Sequence, residues 1–137
     1  MPDLLDQWLF EGEGDQLEFK QTINEPFKIA KTICALANSK GGNILVGVRD
    51  DKTLVGIDPD EEKHLIEQAA FFCCHPPVKI HLTEHLINQD QADEIIILQV
   101  YIAESEEKPH FVIDKNGNRQ AYIRENDKTM HLGKKML

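Results

Sequence analysis

The run Ile44-Leu45-Val46-Gly47-Val48 constrains the fold more than any other part of the chain. It is apolar without alternation, the pattern of a central strand covered on both faces. A helix precedes it. Pro26 suits a first helical turn, Ile29, Ile33 and Leu36 recur at helical spacing, and Ala30, Cys34 and Ala37 widen the stripe. Asn38-Ser39-Lys40-Gly41-Gly42 ends that helix and turns the chain into the strand. With 137 residues there is room for one core, so a single domain over residues 1–137 is expected.

The remaining elements follow from period and punctuation. Trp8, Leu9 and Phe10 close a short N-terminal helix onto the core, and Gly12 and Gly14 release the chain into a turn. Leu17-Glu18-Phe19-Lys20 alternates, with Leu17 and Phe19 inward and Glu18 and Lys20 sharing the other face. Asp50-Asp51-Lys52 leads into a short return strand from Thr53 to Ile57. Asp58-Pro59-Asp60-Glu61 has the form of a capping box, and Leu65, Ile66, Ala69, Ala70 and Phe72 or Cys73 give the buried face of a second helix, stopped by Pro76-Pro77. Val78 to Leu86 and Glu94 to Ile102 read as an antiparallel hairpin, and Phe111 to Ile113 with Ala121 to Arg124 as another. The fold class expected is α+β, two main helices packed on a mixed β-sheet.

Composition narrows the setting. No apolar run approaches the ~18 residues of a membrane span, and the acidic start is not a secretory signal. Three cysteines, two of them adjacent, do not make a disulfide framework, so a cytoplasmic location is expected. The net charge of −9 weighs against a nucleic-acid partner, yet it is unevenly placed. Residues 1–107 carry net −13 and residues 108–137 carry +4.

Four groups could carry chemistry. Glu13 and Glu18 lie five apart, and Asp50 follows the central strand, where open sheets place their sites. If those strands are neighbours, three carboxylates converge beside Lys20, a set of hard oxygen ligands suited to Mg²⁺ or Mn²⁺. Acidic residues in turns are also ordinary solvated features. The Gly41-Gly42 turn could admit a nucleotide, or could simply cap its helix. Cys73-Cys74-His75, and His81 with His85, lack metal-site spacing and read as packing. Finally, Lys108, His110, Lys115, Arg119, Arg124, Lys128, His131, Lys134 and Lys135, interleaved with Phe111 and Tyr122, form either a phosphate-and-stacking surface or a soluble edge hairpin.

In order along the chain, Leu17-Glu18-Phe19-Lys20, Ala35-Leu36-Ala37-Asn38-Ser39-Lys40-Gly41-Gly42, Gly47-Val48-Arg49-Asp50-Asp51, Lys108-Pro109-His110 and Tyr122-Ile123-Arg124 resemble the Schlafen AlbA_2 family. The resemblance covers residues 11–130. It implies a DNA-binding domain of bacterial proteins described as transcriptional regulators or ATP-binding proteins. In animal Schlafen proteins the related domain is a metal-dependent endonuclease of tRNA and rRNA with a Glu, Glu, Asp triad. Glu13, Glu18 and Asp50 match that triad, with Asp51 one register away and Arg49 departing from the acidic residue often found there. The nuclease has two such lobes, so a homodimer of this chain would be needed to supply the second. Family proteins often carry a further C-terminal part, so the resemblance implies a stand-alone form or a fragment. Two roles follow as expectations. One is nucleic-acid binding, to DNA or RNA, through Lys20, Lys40, Arg119, Arg124 and Lys128. The other is an endoribonuclease with Glu13, Glu18 and Asp50 as catalytic and metal-binding residues. A nucleotide (ATP) site at the Gly41-Gly42 turn is a third.

Overall fold

The computed structural model describes residues 4–131. Its organising element is the helix α2 (Pro26–Ala37), which lies between two four-stranded sheets. Glu25 starts α2 by accepting the N–H groups of Phe27 and Lys28 at 3.1 and 2.7 Å, and Pro26 stands where no N–H is needed. From Ile29 onward only Lys31 is not buried.

The first sheet has the order β1-β2-β5-β4, from β1 (Leu17–Lys20), β2 (Gly41–Val46), β4 (His81–Ile87) and β5 (Ile95–Ala103). β1 and β2 are parallel, with Glu18 opposite Ile44; the other pairs are antiparallel, so the sheet is mixed. Ile44, Val46, Leu98, Val100 and Ile102 face α2. Leu17, Phe19, Leu45, Val48 and Ile97 face the opposite way, under α1 (Leu4–Glu11), which contributes Leu5 and Trp8. The apolar run thus has both faces covered, as its lack of alternation requires.

The second sheet has the order β3-β6-β7-β8, from β3 (Cys74–His75), β6 (Phe111–Ile113), β7 (Arg119–Glu125) and β8 (Lys128–His131). Val112 and Tyr122 pack on the opposite side of α2. A further helix, α3 (Pro59–Gln68), is capped by Asp58 and continues as a wider π-turn over Ala69–Cys73. Its Glu62 is buried, accepting the Thr22 hydroxyl at 2.5 Å and the Ile23 N–H at 3.1 Å, which fixes the passage from β1 to α2.

The α+β class and both expected hairpins are present, but the details differ in four places. The strands divide between two sheets because α2 carries apolar residues on opposite sides, each of which needs a partner. The return strand over 53–57 is reduced to a single bridge between Val48 and Leu54. Phe10 is 88% exposed and Phe72 70%, so neither belongs to the core. β8 follows a turn at Asn126, whose φ of 53° suits asparagine, and Lys128 to His131 has no apolar alternation to announce it. No helix among the described residues is long and apolar enough to cross a membrane.

Removing volume from the shared helix therefore acts on both sheets. Ile33→Ala should lower unfolding stability by about 2–5 kcal/mol in urea denaturation. Phe10→Ala, on the exposed side of α1, should change it by less than about 0.5 kcal/mol.

Candidate functional site

The motif residues meet at one end of the molecule, where β1, the turn after α2 and β7 come together. Asn38 ends α2 and ties it to the second sheet. Its Oδ1 accepts the His110 N–H at 2.7 Å, and its Nδ2 donates to the carbonyls of His110 and Tyr122 at 3.0 and 2.9 Å. Next to it, Ser39 Oγ accepts the Arg124 N–H at 2.9 Å. His110 is itself buried, with Nδ1 donating to the Pro76 carbonyl and Nε2 hydrogen-bonded to the Ser105 hydroxyl, each at 2.6 Å.

Gly41 and Gly42 are required here by the chain itself. A Cβ on Gly41 would stand 2.5 Å from the Ile102 carbonyl oxygen, and one on Gly42 would stand 2.3 Å from that of Gln16. Both also have positive φ, at 74° and 152°. At both glycines the side on which a Cβ would project is filled by neighbouring backbone. Packing of the chain against itself therefore accounts for both glycines without a bound phosphate.

Arg124 departs from its expected role as a phosphate ligand. Its side chain is 1% exposed, and Nη2 lies 2.6 Å from Glu18 Oε1. Nε donates to the Gly14 carbonyl at 3.0 Å, Nη2 to that of Leu17 at 3.2 Å, and Nη1 to Thr129 Oγ1 at 3.3 Å. The guanidinium is thus spent on holding the Gly14–Leu17 turn and Glu18 against the second sheet. The other oxygen of Glu18 lies 3.1 Å from Lys20 Nζ, an ion pair that occupies this lysine too.

Glu13 and Asp50 complete the acidic group. Glu13 Oε2 accepts the Phe19 N–H at 3.1 Å. Loss of hydration raises the Glu13 pKa most, although the residue is exposed; the Phe19 N–H opposes this, the charges of Glu18 and Asp50 raise it further, and Arg124 lowers it. Glu13 therefore feels the charge of both other matched carboxylates. They do not fit a divalent ion as arranged. Mg²⁺ and Mn²⁺ need several open oxygens at ~2.0–2.2 Å, whereas both Glu18 oxygens face cations. Among the described residues no three His, Cys, Asp or Glu side chains are grouped so as to hold a metal.

The remaining expected cations are spread out. Lys40 is exposed and paired with Asp15 at 3.2 Å, and Lys108 is paired with Glu104. Lys115, Arg119 and Lys128 are exposed; His131 is half-buried against Tyr122. Lys134 and Lys135 lie outside the described residues. The register of β6, β7 and β8 puts Phe111, Arg119 and Lys128 on the sheet face turned away from α2. There the Arg119 guanidinium stands 5.5 Å from the centre of the Phe111 ring.

The sequence profile described as Schlafen, AlbA_2 matches residues 13–133, most of the chain. The chain belongs to the Schlafen AlbA_2 family. Its fold is similar to that of the DIP2311 protein from Corynebacterium diphtheriae, with a TM-score of 0.54 at 18% identity. That match covers 85% of this chain but spans only 22% of the other. No curated protein matches the chain in sequence. In this AlbA_2 domain the family motifs thus build the junction between the sheets, and the arginine of Tyr-x-Arg answers the glutamate of Leu-Glu-Phe-Lys. Sequence reading missed the roles of Asn38, Ser39 and His110; their polarity at a helix end and a strand start was the available signal.

Removing the arginine would strand a buried carboxylate. Arg124→Ala should cost about 3–5 kcal/mol in chemical denaturation, and adding Glu18→Gln should recover part of that loss. Because the Glu13 pKa is raised in the folded state, its ionised form opposes folding. Glu13→Gln should stabilise the protein near neutral pH, and the difference from wild type should fade as pH falls below the ordinary glutamate value of 4.5. Thermal melts across that range would check the sign.

Proposed function

We propose that this AlbA_2 domain binds nucleic acid, DNA first, as the recognition part of a cytoplasmic protein of the transcriptional-regulator type. The observation that carries the reading is the outer face of the second sheet. Arg119 is exposed over Phe111, Lys128 shares that face, and Lys115 stands on the adjoining turn. A guanidinium held against a ring keeps its N–H groups available for phosphate while losing little side-chain freedom. The face lies apart from the carboxylates of Glu13, Glu18 and Asp50, and the acidic residue it carries opposite Lys128 is Glu125. Lys20 is engaged by Glu18, and Arg124 is buried. Phosphate contact therefore rests on Arg119 and Lys128, with the exposed Lys40–Asp15 pair able to open at small cost. With so few cations, binding should be modest and strongly dependent on salt.

The double substitution Arg119→Ala, Lys128→Ala should weaken retention of duplex DNA in fluorescence anisotropy at low salt. The slope of log affinity against log salt should fall by about 1.8, from two lost phosphate contacts. An unchanged slope would place the contact surface elsewhere.

A further inference from the structure

On the outer face of the first sheet, beside α1, lies a polar cleft of about 360 Å³ that shares Lys40 with the nucleic-acid reading and also carries the carboxylates of Glu11 and Asp15. Gly42 and Asn43 line its β2 side, Trp8 and Tyr101 flank it, and Gln16 and Lys40 stand at its edge. Its polar groups are oriented by a relay across three strands. A carbonyl oxygen only accepts, so His85 Nε2–H donates to Gln99 Oε1 at 2.9 Å. Gln99 Nε2 in turn donates to Asn43 Oδ1 at 2.9 Å. The Asn43 oxygen is thereby taken, and its Nδ2 hydrogens have no protein partner among the described residues. Gln16 is exposed and its Nε2 donates a long hydrogen bond to the Lys40 carbonyl at 3.4 Å, which leaves Oε1 as an acceptor. The Asn43 N–H bonds the Gln16 carbonyl at 2.9 Å, so donor and acceptor come from adjoining residues.

Beside them Tyr101 is 42% exposed, and the His81 ring lies 6.2 Å from it at 34°. An oriented amide donor, an amide acceptor and an open aromatic face match the edge and the face of a planar heteroaromatic ring. Lys40 adds a cation within the same cleft, released when its exposed pair with Asp15 opens.

We infer that this cleft takes one unstacked nucleobase, with its face on Tyr101, its acceptor edge on Asn43 Nδ2 and its phosphate near Lys40. Where the base belongs to a strand, the inference rests on the nucleic-acid reading above and sharpens it. The ligand is then single-stranded or has a base turned out, since bases within a duplex are already stacked. A free nucleotide offers the same chemistry.

Trp8 is the one tryptophan of the chain and borders the cleft, so its emission reports occupancy. The full chain would be titrated with a labelled single-stranded DNA oligonucleotide, the duplex of the same sequence and adenosine monophosphate, following Trp8 emission and, for the DNAs, anisotropy. The single strand should change Trp8 emission saturably, and the duplex should leave it unaltered. Asn43→Ala and Tyr101→Thr should each weaken the single-strand response about fivefold or more. Asn43→Asp, close to isosteric and acceptor-only, should do the same if the alanine variant folds poorly. A response to adenosine monophosphate with the same sensitivity would assign the cleft to free nucleotides, and a response to the strand alone would assign it to strands. Strand binding by anisotropy with Trp8 emission and all three variants unaffected would overturn the cleft and leave the nucleic-acid reading standing. No binding of any probe by either signal would overturn both.

Discussion

The Glu18–Arg124 ion pair joins the edge of the first sheet to the second, and the rest of this end of the molecule is arranged around it. Taking both charges out of water costs several kcal/mol per ion, so the pair stands only because nearly every remaining polar atom is answered. The Gly14 and Leu17 carbonyls, Thr129 and Lys20 supply those answers. The same guanidinium that neutralises Glu18 thereby fixes the turn bearing Glu13, and Ser39 fixes the backbone that bears the guanidinium. One interaction sets the position of the carboxylates, the helix end and β7 together.

This placement changes what the acidic group means. Carboxylates along β1 and its turn suggest a cation between them, and here two cations already face Glu18 as side chains. Arg124 and Lys20 do for Glu18 what an ion would do, while Glu13 and Asp50 keep their mutual repulsion. The proposed binding chemistry is placed instead on two other surfaces, the Arg119 face and the cleft beside Asn43. One offers charge to a phosphate chain, and the other offers an oriented hydrogen-bonding edge.

Sequence patterns revealed the elements better than their partners. The apolar run of β2, the helical stripe of α2 and the alternation of β5 each reflect burial, which is local in sequence, and each was readable. The role of Arg124 was not readable, because Ala121, Tyr122, Ile123 and Arg124 offer apolar groups to both faces and hide which one turns inward. Nor could Lys20 and Lys40 be told from free cations without knowing that Glu18 and Asp15 lie beside them. The glycine turn misled for a related reason. Two glycines announce close approach, and only the packing says whether a ligand or the chain's own backbone approaches.

A helix shared between two sheets also limits how such a chain can change. Substitutions on an ordinary amphipathic helix have a solvent side on which to accumulate, whereas from Ile29 to Ala37 only Lys31 of α2 retains one. Its aliphatic stem leads to an ammonium 5.2 Å from the Phe27 ring centre and 5.7 Å from that of Tyr122, so even this outlet is partly lined with aromatic surface. Sequence drift in relatives built this way would therefore gather on the strand faces and turns, leaving the helix as the slow-changing register against which the two sheets are aligned.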